Sequence, residues 1–214
     1  MHDLPFVDYQ YPEDRAARPL IALVGEAPGA DEVKQGKPFV GRAGQLLDRV
    51  LAQAEIERDT CLVANVFRYR PPDNKVGHFF ASRRRAAERG EPLADMLGKM
   101  GAEYCLRCYA PEIEALSDVL YRFAPAVVVA VGRTPLWALT GLNGITALRG
   151  KVLNGRLHHA PVIATFHPSF VMRQNSIGPV TEAAFLADLR FARALALQPG
   201  SGSAPSSIEI GAPG

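Results

Sequence analysis

The sequence predicts a single α/β domain, three layers deep (α/β/α), around a central, mostly parallel sheet of four strands. Two observations carry this expectation. Four short apolar runs occur at "LIALVG" (20–25), "TCLVANVF" (60–67), "PAVVVAVG" (125–132) and the "VIATF" of "APVIATFHPS" (162–166), and segments of helical period separate them. The length of 214 residues fits one domain with a sizeable core. Strands that alternate with helices imply a parallel sheet covered on both faces.

The elements follow in order. Leu20 to Gly25 is an apolar run ended by glycine, which suits a buried strand. In "GRAGQLLDRVLAQAEI" the apolar residues Leu46, Leu47, Val50, Leu51 and Ala54 fall on one helical face. The strand at Thr60–Phe67 is stopped by "RYRPPDN", because two prolines cannot continue a ladder. "EIEALSDVLYRFA" carries Ile113, Leu116 and Leu120 on one helical face, and "RTPLWALTG" is a helix ended by Gly141. "TEAAFLADLRFARALAL" is a long amphipathic C-terminal helix.

Residues 1–198 form the expected domain. Within it, 75–104 interrupt the alternation as a basic insertion with little apolar pattern, around "SRRRAAERG". Residues 199–214 are rich in Gly, Ser and Pro and are expected to be disordered. The composition is that of a soluble globular protein, with 48% hydrophobic and 21% charged residues and a net charge of +2. No apolar run is long enough to span a bilayer, and the polar, acidic N-terminal stretch does not read as a signal peptide. A cytoplasmic monomer with no membrane partner is the expectation. Three cysteines, Cys61, Cys105 and Cys108, argue against a disulfide scaffold. "CLRC" lacks a second pair to complete a four-thiolate site, so no metal and no cofactor is expected.

In open parallel sheets, ligands bind beyond the carboxyl ends of the strands. Three such ends carry polar, glycine- or proline-rich segments: "GEAPG", "NVFRYRPPDN" and "FHPSFVMR". They should converge on one cleft. A phosphate-binding role is disfavoured, because the glycine spacings of nucleotide loops are missing and Glu26, Asp31 and Glu32 would repel phosphate. A neutral heterocyclic base suits the residues better. Phe39 can stack, Asn65 can donate and accept at a base edge, and His167 can donate to an atom that gains negative charge. A carboxylate from Glu26, Asp31 or Glu32 could stabilise a cationic sugar or position water. Each residue also has a structural alternative: Phe39 as a core aromatic, Asn65 as a strand-end cap, His167 as a turn former, and Glu26 as a partner of its own loop's N–H groups.

The long stretch "GEAPGADEVKQGKPFVGRAGQLLDRVL" resembles the first motif of the uracil-DNA glycosylase superfamily, closest to family four and its relatives. "NVFRYRPPDN" is similar to that family's asparagine strand and R-P-P-x-N, and "FHPSFVMR" to its closing H-P-[SA]-x-x-x-R. The resemblance covers about residues 20–74 and 111–197. It implies hydrolysis of the N-glycosidic bond of uracil in DNA, which leaves an abasic site, with uracil-containing DNA as the partner. It further implies that Glu26 and Glu32 are the acidic positions of the first motif. Gly25 and Ala27 would lie against the base, Phe39 would stack on it, Asn65 would read its edge, and His167 would donate to the leaving group. Ser169, Phe170, Met172 and Arg173 would belong to the loop that enters the DNA groove.

Two departures stand out. Family four holds a four-iron, four-sulfur cluster on four cysteines; here the N-terminal segment has none, and Tyr69 takes the place of the third. The insertion is also longer than its family-four counterpart. Its Arg83, Arg84 and Arg85 could lie along DNA or be a solvated face, and His78 lies outside the K-R-R-I-H motif of the branch that traps the sugar covalently. The rival functional readings are a binder that holds uracil or abasic DNA without turnover, and a glycosylase for other deaminated bases.

Overall fold

Ile21–Gly25 forms β1, and all five residues are buried. This is what an unbroken apolar strand between two helical layers requires. The computed structural model describes residues 3–14, 18–175 and 180–198. The tail expected at 199–214 lies outside the described residues. After β1 come α1 (Ala30–Gln35), α2 (Arg42–Gln53), β2 (Leu62–Asn65), β3 (Phe80–Ala81), α3 (Arg83–Arg89), β4 (Lys99–Met100), β5 (Glu103–Cys105) and α4 (Ala110–Phe123). They are followed by β6 (Val127–Val131), α5 (Arg133–Thr140), α6 (Ile145–Leu148), β7 (Val152–Leu153), β8 (Val162–Thr165), α7 (Pro168–Asn175) and α8 (Val180–Ala196).

The main sheet has five strands in the order β2-β1-β6-β8-β7. The four predicted strands are its parallel members, β2, β1, β6 and β8. The expected count of four is corrected by β7, a two-residue edge strand antiparallel to β8. Two residues show no period, so the sequence pattern could not reveal it.

The layers follow from the alternation of side chains along each strand. Ala22, Val24, Leu62, Ala64, Val128 and Ala130 face one way, against Ile113, Leu116 and Leu120 of α4 and Leu136 and Trp137 of α5. Ile21, Leu23, Val63, Val127 and Val129 face the other way, against Leu47 and Val50 of α2, Val171 of α7, and Phe185 and Leu189 of α8. Among the described residues no helix is long and apolar enough to cross a membrane.

The insertion is better built than its sequence suggested. Its strands make a second sheet in the order β3-β5-β4, antiparallel throughout. Phe79, Phe80, Ala81 and Cys105 are buried within the α4 and α5 layer. The run "HFFA" is too short to register as a periodic element, yet it anchors the whole excursion in the core.

The N-terminal segment runs along the free edge of β2. Gln10 and Val63 exchange both backbone hydrogen bonds, at 2.8 and 2.9 Å, and Phe6 bridges to Tyr69. This edge is therefore paired on both sides before the chain reaches β1.

Candidate active site

The carboxyl ends of β1, β2 and β8 open into one cleft of about 300 Å³. Glu26, Ala27, Glu32, Phe39, Asn65, His167 and Ser169 all line it, as the three motif ends predicted. A wider hollow of about 990 Å³ lies by Leu20, Ile56 and Thr60, at the amino ends of β1 and β2, and none of these seven residues lines it. Size is a poor guide here; the convergent polar groups mark the chemistry.

The floor is set by the register of the parallel strands. Gly25 of β1 lies beside Asn65 of β2. Hydrogen bonds from Val66 N–H to Gly25 O (2.9 Å) and Phe67 N–H to Glu26 O (3.1 Å) carry the pairing past the strand ends. A Cβ on Gly25 would fall 2.4 Å from Phe39 Cζ and 2.5 Å from Asn65 Oδ1. Any side chain there would push the Phe39 ring and the Asn65 amide out of place. Asn65 is buried, and among the described residues no hydrogen bond occupies its amide. A buried amide with open capacity is costly unless a ligand completes it.

Phe39 holds a backbone φ of 52°, in the left-handed region that costs a non-glycine residue roughly 1–2 kcal/mol. Two features hold it there. The guanidinium of Arg58 donates to Phe39 O at 3.0 Å and to Pro38 O at 2.6 Å. Gly44 in α2 passes so close that a Cβ would meet Phe39 O at 1.8 Å. Phe39 is therefore buried as a core aromatic and also lines the cleft.

His167 follows β8, whose end is pinned by a buried carboxylate. Thr165 Oγ1 donates to Asp188 Oδ2 at 2.7 Å, and Arg149 grips the same carboxylate at 3.0 and 2.7 Å. The Ser169 backbone N–H donates to His167 Nδ1 at 3.1 Å. Nδ1 is therefore the acceptor, and the ring proton of the neutral imidazole resides on Nε2. Burial, with the nearby Arg173 charge, lowers the imidazole pKa to about 4, so the ring is neutral at physiological pH. His167 is a neutral donor on the wall of the cleft. The turn it makes with Ser169 also orients the ring.

The two acidic positions separate cleanly. Glu32 Oε2 accepts from Gly29 N–H at 3.1 Å and Oε1 accepts from Gly41 N–H at 3.3 Å. Glu32 thus latches both ends of its own loop, a role the sequence had offered for Glu26. Glu26 instead accepts from the Thr134 hydroxyl. Burial pushes its carboxyl above the ordinary range, opposed by that hydroxyl and by the Arg133 charge. Thr134 comes from the start of α5, directly beyond β6, so a fourth strand end serves the site. Sequence reasoning missed it, because "GRTP" matches no catalytic pattern; its only signal was its place after a buried strand.

The remaining predicted positions lie outside the cleft. The loop expected at Ser169–Arg173 is instead the start of helix α7: Phe170 packs on Phe166 with ring centroids 5.0 Å apart, Met172 packs partly against the α2 and α8 core, and Arg173 is exposed. In the insertion, Arg83 pairs with Asp95 (2.8 Å), Arg84 with Glu88 (3.6 Å) and Arg85 with Glu103 (2.5 Å). Arg85 lines an adjoining hollow with Pro72, Asp73 and Lys75. His78 contacts the Tyr109 hydroxyl at 3.0 Å and does not line the cleft.

The uracil DNA glycosylase superfamily matches this chain over residues 12–190. The chain belongs to that superfamily. It is 35% identical over 158 residues to the type-4 uracil-DNA glycosylase of Thermotoga maritima, covering 73% of this chain and 68% of that protein. It is 32% identical to that of Pyrobaculum aerophilum, over 73% of this chain and 70% of the relative. Identity to the Archaeoglobus fulgidus protein is 30%, over 77% and 73%.

The iron–sulfur cluster of family four does not fit the residues present. Four thiolates are needed, and the whole chain has three cysteines. Cys61 donates to Glu57 O at 3.5 Å. Burial, with Cys108 nearby, pushes the Cys105 thiol up to about 12. Tyr69, at the third cysteine's place, packs edge-on against Phe6 with centroids 5.3 Å apart. Beside it the Arg68 guanidinium makes two bonds to the buried Glu112 carboxylate, both 3.0 Å, and lies over the Phe6 ring. Aromatic packing and a charge clamp hold this corner.

Proposed function

We propose that this protein removes uracil from DNA by hydrolysing the N1–C1′ bond, leaving an abasic site. The observation that carries the reading is the His167 Nε2–H, fixed by the Ser169 N–H on Nδ1, in one cleft with the Asn65 amide and the Phe39 ring.

The target nucleotide must leave the stack before its bond can be reached. In this reading uracil lies on the Phe39 ring, and the Asn65 amide donates to O4 and accepts from N3–H. As N1–C1′ breaks, its electron pair stays on N1 and the charge spreads to O2. A neutral Nε2–H donor at O2 stabilises that anion, as in an oxyanion hole. The sugar becomes cationic at C1′, and the Glu26 carboxylate favours it electrostatically and orients the water that adds there. That water loses its proton to solvent, and uracil takes one up after departure. Glu32 shapes the loop that presents these groups. Ala27 brings no acid, so the carboxylate role rests on Glu26.

The partner is uracil-containing DNA, met by a monomer in the cytoplasm. Ser169, Phe170, Met172 and Arg173, on the first turns of α7, form the DNA-entering element, and Arg83, Arg84 and Arg85 run along the DNA backbone. Uracil release from single- and double-stranded substrates tests the whole reading. Multiple turnover with free uracil is expected. A stable protein–DNA complex without free uracil would make the protein a binder, and equal release of hypoxanthine would widen its specificity.

A further inference from the structure

We infer that Arg58 is a positioning residue for excision, acting through the Phe39 ring. This rests on the reading of Phe39 as the platform for uracil. Arg58 opens a single 3₁₀ turn, Arg58–Thr60, on the approach to β2. Its guanidinium reaches the Phe39 loop and spends its donors on four partners: Phe39 O at 3.0 Å, Pro38 O at 2.6 Å, Asp48 Oδ1 at 2.6 Å and Gln10 Oε1 at 3.0 Å. Two are the consecutive backbone carbonyls of Pro38 and Phe39, and Phe39 is held at a φ of 52°. A planar fork can hold such a pair of oxygens in a way a single ammonium cannot.

The anchors behind the guanidinium belong to the packed framework. Asp48 belongs to α2, whose buried face packs against the sheet. Gln10 exchanges two backbone bonds with Val63 of β2, two residues before Asn65. The same strand that carries the base reader thus braces the arginine that fixes the stacking ring. Arg58 keeps two site elements in register without lining the base pocket itself. Its side chain is only 17% exposed, so it is committed to this bracing rather than to solvent.

A double-mutant cycle tests this. The full chain carries Arg58→Ala, Phe39→Ala or both, and single-turnover excision is measured at saturating enzyme, well below each variant's melting temperature. Arg58→Ala is expected to slow excision by roughly 10- to 100-fold, the scale of a misplaced reacting group. The double variant should be no slower than Phe39→Ala alone, because both remove the same platform. Arg58→Lys is the variant of choice if alanine does not fold, and it should recover only part of the rate. Gln10→Ala should give a smaller loss in the same direction. Additive losses, or an unchanged rate in Arg58→Ala and Arg58→Lys, overturn the inference. If Phe39→Ala is fully active, the platform reading itself falls and takes the inference with it, and that arm tells the two failures apart.

Discussion

The cleft and the insertion are both rich in polar side chains, yet they use them in opposite ways. In the insertion the charges of Arg83, Arg84, Arg85 and Arg89 each face an acidic partner from the same segment, although the buried Arg85 Nε and Glu91 Oε2 make no hydrogen bond. In the cleft, among the described residues, the Asn65 amide has no partner and the lining His167 ring is bonded through Nδ1 alone. A polar group that is braced but not satisfied is poised for a ligand; one that is satisfied at home is mainly structural.

Four experiments would break or sharpen that contrast. The largest effect is expected at His167. His167→Ala should cut single-turnover excision by roughly 10² or more, as loss of an oxyanion donor does, while duplex binding changes little. A normal rate with poor DNA binding would reverse its role. Next is Asn65→Asp, which should lower uracil excision and relax discrimination against cytosine, whose edge presents the opposite pattern. Each misplaced hydrogen bond is worth roughly 1–3 kcal/mol. Full uracil excision by Asn65→Ala would remove it from the pocket.

Third is the pH profile. His167 stays neutral until pH falls towards about 4, so it should not set the acid limb near neutrality. Glu26 must be charged to act, and burial raises its pKa while Thr134 and Arg133 lower it. Thr134→Val removes a bond that favours the carboxylate, so the acid limb should move to higher pH. Excision should fall severalfold in mild acid and recover as pH rises, with Thr134→Ser close to wild type. An unmoved limb would cut Glu26 out of the rate. The smallest effect is expected in the insertion. Exposed pairs such as Arg83–Asp95 and Arg84–Glu88 are worth about 0–1 kcal/mol, so these arginines can exchange carboxylates for phosphates at little cost. Reversing Arg83, Arg84 and Arg85 to Glu should weaken DNA binding and flatten its salt dependence, with excision at saturating enzyme nearly intact. An unchanged salt slope would make the segment purely structural.

Much of this contrast was legible in the chain. The strand ends at Gly25, Asn65 and Thr165 follow from unbroken apolar runs, and their polar sequels met in one cleft because parallel strands must finish on the same side. Other features depend on distances between residues far apart in sequence. Nothing local ties Arg58 to Phe39, 19 residues earlier, or Thr134 to Glu26, 108 residues earlier. The division of labour between Glu26 and Glu32 turned on which carboxylate the loop's own N–H groups reach, and composition is silent on that. The insertion was underestimated because its strands are two or three residues long, below the length at which a period can be seen.

The N-terminal segment has one more consequence. By pairing Gln10 with Val63 it occupies a strand edge that would otherwise present bare N–H and C=O groups to solvent. Such an edge recruits any strand that comes by, including one from another copy of the same chain. Shortening the protein past Gln10, or displacing the segment with a bulky fusion, should therefore do more than loosen one end. It should make the protein self-associate more strongly as concentration rises.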